Sequence, residues 1–413
     1  MIEAPKNLAA LEFFIARQPI YNQRTELIGY ELLYRKTNED HANFDDDKLA
    51  SSSVIIETFI HIGIDSLVGS ALAFVHVPRC FITDPSLTPF FEGQLVLEIL
   101  AVDHDEQFLS GLTRLKKLGH KIALDDFIYY PGCQPLLELA DYVKLNVLRH
   151  DTEQLREQLK ILRRHPVSVI AEKVETQPLH DTCKTLGFDY FQGFFYCYPS
   201  TVLHQTVLPN QAVLLKLIQQ LQDPNVDLRD LEKILAQDVP LTYKLLRYVN
   251  SANFSRRCEI NSLQDAILLI GTNKIRDWAC LLLLERAARG KPNELIVNSM
   301  IRAHMCALLA EPFGPEMQQQ MFIVGLFSLI DILLDCAMLD LLDYLGLAMP
   351  IKLALLEREG IQGELLQQAI EYEQGYWDSL TNSVTPNSKY IDSYLKALML
   401  TNEAMKIIAS TRQ

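Results

Sequence analysis

KIALDDF (121–127), DYVKLN (141–146) and VSVIAEKVE (167–175) decide how this chain folds. Each run carries a short apolar core and a charged residue at or near its end: Asp125 with Asp126, Lys144, Glu172. Apolar stretches of this length, rich in Val, Ile and Leu, fit strands covered on both faces. Five more runs share the pattern: FFIARQPI (13–20), LIGYELLYR (27–35), ALAFVHV (71–77), LVLEIL (95–100) and DYFQGFFY (189–196). Helical stretches such as 107–118 and 152–164 lie between them. Eight strands alternating with helices over about 200 residues predict a closed α/β barrel, a (β/α)₈ TIM-like barrel, rather than an open sheet.

Polar residues recur at the strand ends: Gln18, Glu31, His76, Glu98, Asp125 with Asp126, Lys144, Glu172 and Gln192. One such residue is an ordinary solvent-facing end. In a barrel of this type, however, the strand ends meet at one mouth, where active sites are built. Glu31, Glu98, Asp125, Asp126 and Glu172 are hard oxygen donors suited to Mg²⁺ or Mn²⁺. Adjacent Asp125 and Asp126 point to opposite sides of a regular strand and share a site only where the backbone turns. Capping of a following helix is the other use for that pair. A carboxylate bridging two ions sets up a centre that activates water and clamps a phosphodiester. Lys144 adds a cation beside the developing charge.

After Pro199 the period changes. LHQTVLPNQAVLLKLIQQLQ (203–222), DLRDLEKILAQ (227–237), VPLTYKLLRYVNSA (239–252) and SLQDAILLIGTNKIRDWACLLLLERAA (262–288) carry apolar residues at helical spacing. The predicted division is therefore a barrel over 1–204 and an all-helical domain over 205–413, with a linking helix near 210–222. The chain of 413 residues has a formal net charge of −14, which argues against binding a nucleic-acid polymer. No apolar stretch is long enough to span a bilayer and no signal peptide is read, so a cytoplasmic protein is expected. Eight scattered cysteines without a C-x-x-C pair read as reduced thiols.

The motifs now on the page resemble those of the EAL family. GYELLYR (29–35) resembles its G-x-E-A-L-x-R signature, ALDDF (123–127) its D-D-F-G, VIAEKVET (169–176) its A-E-G-V-E-T, and FQGFFYCYP (191–199) its Q-G-Y ending. ARQPI (16–20) resembles its opening. The resemblance implies a cyclic-di-GMP phosphodiesterase yielding the linear dinucleotide with two Mg²⁺ or Mn²⁺ ions. It implies Glu31, Glu98 and Asp125 on one metal and Asp125, Asp126 and Glu172 on the other. Glu31, Lys144 and Glu172 carry catalysis, with Lys144 positioning the attacking water. Glu175 and Gln192 support the site, and Gln18 and Arg35 contact the dinucleotide. His76 stands where the family has a metal-binding Asn, and Ala101 where it has a second Glu. Those departures keep a second reading open: a barrel that binds cyclic di-GMP, or nothing, and signals without turnover.

LLRYVNSANF (245–254) and the S-x-x-x-A-I-x-x-x-G stretch at 262–271 resemble the HDOD domain, which looks like an HD metallohydrolase without its ligands. Ser328 and Leu329 stand where an active relative carries His-Asp, and His304 is the lone histidine beyond His204. His304 reads as a packing residue, and Asp331 alone cannot rebuild a metal site. The whole resembles the EAL–HDOD family of bacterial regulators. That resemblance implies an unidentified signalling protein as partner of the helical half and leaves homodimerisation open.

Overall fold

The eight apolar runs become eight strands in a computed structural model. It describes residues 13–36, 63–85, 94–100, 105–193, 227–236, 291–334, 337–345, 347–381, 383 and 385–412, with isolated positions between 217 and 284. The strands are β1 (Phe13–Asn22), β2 (Leu27–Lys36), β3 (Leu72–His76), β4 (Leu95–Leu100), β5 (Lys121–Asp125), β6 (Tyr142–Asn146), β7 (Ser168–Glu172) and β8 (Tyr190–Gln192). They close into one barrel in chain order. Neighbours from β2 to β8 run parallel, while β1 runs antiparallel to both β2 and β8. The link between β1 and β2 explains the reversal. Only residues 23–26 separate them, and Asn22 Oδ1 accepts from the amides of Arg24 and Glu26 at 2.8 and 3.0 Å. A parallel crossover needs about a dozen residues or more, so this pair has to be a hairpin.

Helices Glu106–Lys117 and Thr152–Leu162 cover the strands near the expected positions. Each begins on an aspartate. Asp105 accepts from the Phe108 amide, and Asp151 forms a reciprocal capping box with Gln154. The barrel interior is filled by Ile20, Phe74, Val96, Ala123, Tyr142 and Ile170, with Leu72 and Tyr190 packed against them. Gly29 completes this level because a Cβ there would lie 2.7 Å from Leu72 O and 2.9 Å from the Phe74 ring.

The chain divides into two compact units, one of residues 1–198 with 371–391 and the other of 199–370 with 392–413. The segment 371–391, expected within the helical half, thus groups with the barrel. Its Tyr372, Trp377, Leu380 and Tyr390 are buried. In the second unit, helices Asn293–Leu309 and Pro315–Phe327 pack closely, and a Cβ on Gly325 would lie 2.4 Å from Arg302 O. The boundary near 205, His204, Ala101, most of the linking helix and most of both HDOD stretches lie outside the described residues.

Candidate functional site

Side chains alternate across a strand, so the residue two places beyond an interior one is also interior. Two places beyond Phe74, Val96, Ala123, Tyr142, Ile170 and Tyr190 stand His76, Glu98, Asp125, Lys144, Glu172 and Gln192. Gly29 leads to Glu31 in the same way, and on reversed β1 Ile20 leads back to Gln18. All eight strands therefore contribute one polar residue to a second interior layer at the mouth.

Lys144 is the hub of that layer. Its Nζ lies 2.7 Å from Glu172, 2.8 Å from Glu98, 3.0 Å from Glu31 and 3.4 Å from Asp125. Lys144 and Glu98 are fully buried. Gln192 Nε2 donates to Gln18 Oε1 at 2.8 Å and also to Glu31. The Tyr34 hydroxyl donates to the His76 carbonyl. Glu98 Oε1 meets Lys144 Nζ, and Glu98 Oε2 has no hydrogen-bond partner among the described residues. Four carboxylates share one ammonium, an arrangement short of positive charge. Among the described residues no group of three or more His, Cys, Asp or Glu stands ready to hold a metal ion. The carboxylates close on Nζ instead.

The proton affinities follow from this crowding. Burial pushes the Glu98 carboxyl well up, and Glu31 adds to it against the pull of Lys144. Burial likewise raises Glu172 to about 7 despite Lys144. Burial also acts on Glu31, but Lys144 and the Gln192 hydrogen bond outweigh it and leave that carboxyl below its ordinary value. Burial works against the Lys144 ammonium, yet its four carboxylates hold it well above its ordinary value. Burial lowers His76, so its imidazole is neutral near pH 7.

Other expected site residues stand apart from this layer. Asp126, in a left-handed conformation at φ 46°, sends its carboxylate to Arg149. Arg35 pairs with Asp378 at 2.6 Å. Glu175 is exposed on the turn after β7. Two relevant residues escaped the sequence reading. Arg149 carried no strand-end signal. Asn146 did: it lies two places beyond Lys144, is buried, and pairs in register with Glu172.

In the helical unit the Ser328–Leu329 position is packed. Leu329 is buried, and Ser328 Oγ accepts from Arg302 Nη1 at 3.1 Å. The His304 ring sits edge-on to Phe322 at 5.3 Å between centroids.

Comparison with known proteins agrees with both halves. Residues 88–199 match the EAL domain and residues 208–344 the HDOD domain. The chain is 30% identical over 372 residues to the cyclic di-GMP phosphodiesterase CdgJ of Vibrio cholerae, covering 89% of this chain and 86% of that one. It is 30% identical over 400 residues to YuxH of Bacillus subtilis, covering 94% and 98%. A solved MucR phosphodiesterase complex with cyclic di-GMP matches at 20% identity, TM-score 0.39, covering 44% of this chain and 94% of that one. The FimX EAL domain of Pseudomonas aeruginosa bound to cyclic di-GMP matches at 21% identity, TM-score 0.39, covering 46% and 91%. Two full-length relatives at this identity, with both domains matched in order, make this chain a member of the EAL–HDOD family of cyclic-di-GMP signalling proteins.

Proposed function

We propose that the barrel is a divalent-cation-dependent phosphodiesterase that opens cyclic di-GMP to linear pGpG. In this reading the HDOD half holds no catalytic metal and works by contact with a signalling protein. The observation that carries the proposal is the charge of the second layer: four carboxylates around one ammonium, with Oε2 of buried Glu98 lacking a hydrogen bond. Such a group fits a hard cation, and oxygen donors suit Mg²⁺ or Mn²⁺. Glu31, His76, Glu98 and Asp125 would hold one ion, and Asp125, Asp126 and Glu172 a second. When bound, the pair supplies an activated water and neutralises charge on the phosphodiester. Gln192 and Gln18 fix the orientation of Glu31. Lys144, kept protonated by its neighbours, orients Glu31 and Glu172 and presents positive charge to the mouth.

Two placements favour the second reading, a binding protein without turnover. Asp126 is engaged by Arg149, and His76 offers a ring nitrogen where hard ions prefer oxygen. A hydrolysis assay with Mg²⁺ and Mn²⁺ in parallel, beside a Ca²⁺ binding titration, separates the two. The expected result is slow turnover with Mg²⁺ and faster turnover with Mn²⁺. His76→Asn raises the Mg²⁺-supported rate, and Glu31→Ala abolishes it. Efficient hydrolysis with Mg²⁺ by the unaltered chain refutes the handicap assigned to His76. Hydrolysis absent with either ion, even after His76→Asn with Ala101→Glu, supports the binding protein.

A further inference from the structure

The segment 371–391 forms a strap against the extended ends of β1 and β2. Trp377 stacks on Phe14 with ring centroids 5.4 Å apart and planes 15° from parallel. The Tyr372 hydroxyl accepts from the Ile15 amide at 3.3 Å, and the Trp377 indole N–H donates to Tyr372 O at 3.1 Å. At Gly375, with φ 79°, a Cβ would lie 3.4 Å from Leu33. Arg35 is the charged centre of this contact. Its side chain is only 11% exposed, and its guanidinium carbon lies 5.6 Å from the Trp377 ring centre and 5.8 Å from that of Phe14. Its Nη1 meets Asp378 Oδ1 at 2.6 Å. On β2, Arg35 lies four places beyond Glu31, on the same side as the carboxylate layer.

We infer that Asp378 is a built-in competitor for the ligand phosphate at Arg35, so that the strap must release Arg35 before cyclic di-GMP docks fully. This rests on the reading above that the barrel mouth binds the dinucleotide. A carboxylate and a phosphodiester oxygen ask the same thing of a guanidinium, a charge-assisted N–H donor. Both cannot hold the same Nη1. The contact is built to give way, because the Asp378 side chain is 70% exposed and its pull on Arg35 is screened by water. A ligand that needs the open form binds more weakly by the fraction of chains that are open. The strap is also continuous with helices Gly360–Glu373 and Asn387–Arg412, the rest of which belongs to the other unit.

The test uses the full chain with Ca²⁺ and cyclic di-GMP in a calorimetric titration. Asp378→Asn keeps the shape of the strap and removes its charge. It tightens binding about two- to five-fold, the factor an ion pair with one exposed partner is worth. Arg35→Ala weakens binding, and adding Asp378→Asn to it changes nothing further. In a Trp278→Phe background, saturating ligand shifts the emission of Trp377. Binding by the wild type with no tightening in Asp378→Asn, or with unmoved Trp377 emission, overturns the competition while leaving the ligand reading intact. No uptake by the wild type and by Asp378→Asn alike overturns the ligand reading, and the competition with it.

Discussion

Both units bury polar groups, and they do so in opposite ways. The barrel mouth gathers Glu31, Glu98, Asp125 and Glu172 on the single ammonium of Lys144 and leaves Glu98 Oε2 without a hydrogen bond. The helical unit buries Arg302 with a neutral hydroxyl, Ser328, whose Oγ in turn donates to Gly325 O at 2.7 Å. Leu329, next to Ser328 in the chain, and Phe322 and Ile323, on helix Pro315–Phe327, are buried. One region carries charge that its own residues do not neutralise, and such a layer costs stability unless it is used. The other uses Arg302 and Ser328 to join two helices, with the Asp331 carboxyl near enough to feel the Arg302 charge. In the proposed function the first would do the chemistry and the second would make contacts.

Removing the hub should have the largest effect. Lys144→Met leaves four carboxylates facing one another, and breaking a buried pair from one side typically costs about 3–5 kcal/mol. With Trp278 replaced by Phe, Trp377 in the barrel unit reports its unfolding in urea. A midpoint matching the parent would show that the carboxylates do not depend on Lys144.

Cation binding should come next. A divalent ion at a hundredfold its dissociation constant stabilises the folded barrel by about 2.7 kcal/mol. Mn²⁺ is therefore expected to raise the Trp377-reported transition, and EDTA to lower it. Glu98→Gln should blunt the response. An unresponsive barrel would remove the ground for the proposed metal site. In the complementary background, Trp377→Phe, Trp278 in the helical unit should show no shift.

The metal-free barrel should also lose stability as pH rises from about 6.5 to 8. Glu172, raised to about 7, and Glu98, raised well above its ordinary value, hold protons in the folded state that the unfolded chain has already released. Stability falls as those protons leave. His76 works the other way, but only below its ordinary 6.5, because burial lowers it. Lys144 stays charged throughout, and Glu31, lowered, has already ionised. Urea midpoints in EDTA at the two ends of this range give the slope. A flat or rising line would mean that Glu98 and Glu172 are ionised in the folded protein at the lower pH.

Most of the barrel was legible in the sequence because one pattern specifies both its levels. An apolar residue and a polar residue two places on read as core and site in KIALDDF, DYVKLN and VSVIAEKVE alike. The reversal of β1 was not read, although the short link before Leu27 carries it. The positions of Asp126 and Arg35 were not legible. Whether Asp126 turns to the layer or to Arg149 depends on a left-handed backbone that tertiary contacts impose. The partner of Arg35 lies 343 residues away, in a segment whose helical spacing pointed to the other domain. A period of 3.6 tells which face of a helix is apolar and does not tell which core receives it.

The smallest expected effect tests the helical half. Ser328→Ala removes one acceptor from Arg302 and leaves the apolar packing of Leu329 and Phe322 in place. A hydrogen bond of this kind contributes about 0.5–1.5 kcal/mol. The Trp278-reported transition, read with Trp377 replaced by Phe, should drop by that amount. The loss should be the same at both ends of the pH range and with or without Mn²⁺, because a hydroxyl does not titrate there. Asp331, whose carboxyl burial raises, lies three residues on and sets the stricter condition. If Mn²⁺ protects the helical unit, or if Ser328→Ala abolishes a metal-dependent shift, then Asp331 and its neighbours hold an ion. The division between a chemical barrel and a contact-making helical domain would then fail on its second half.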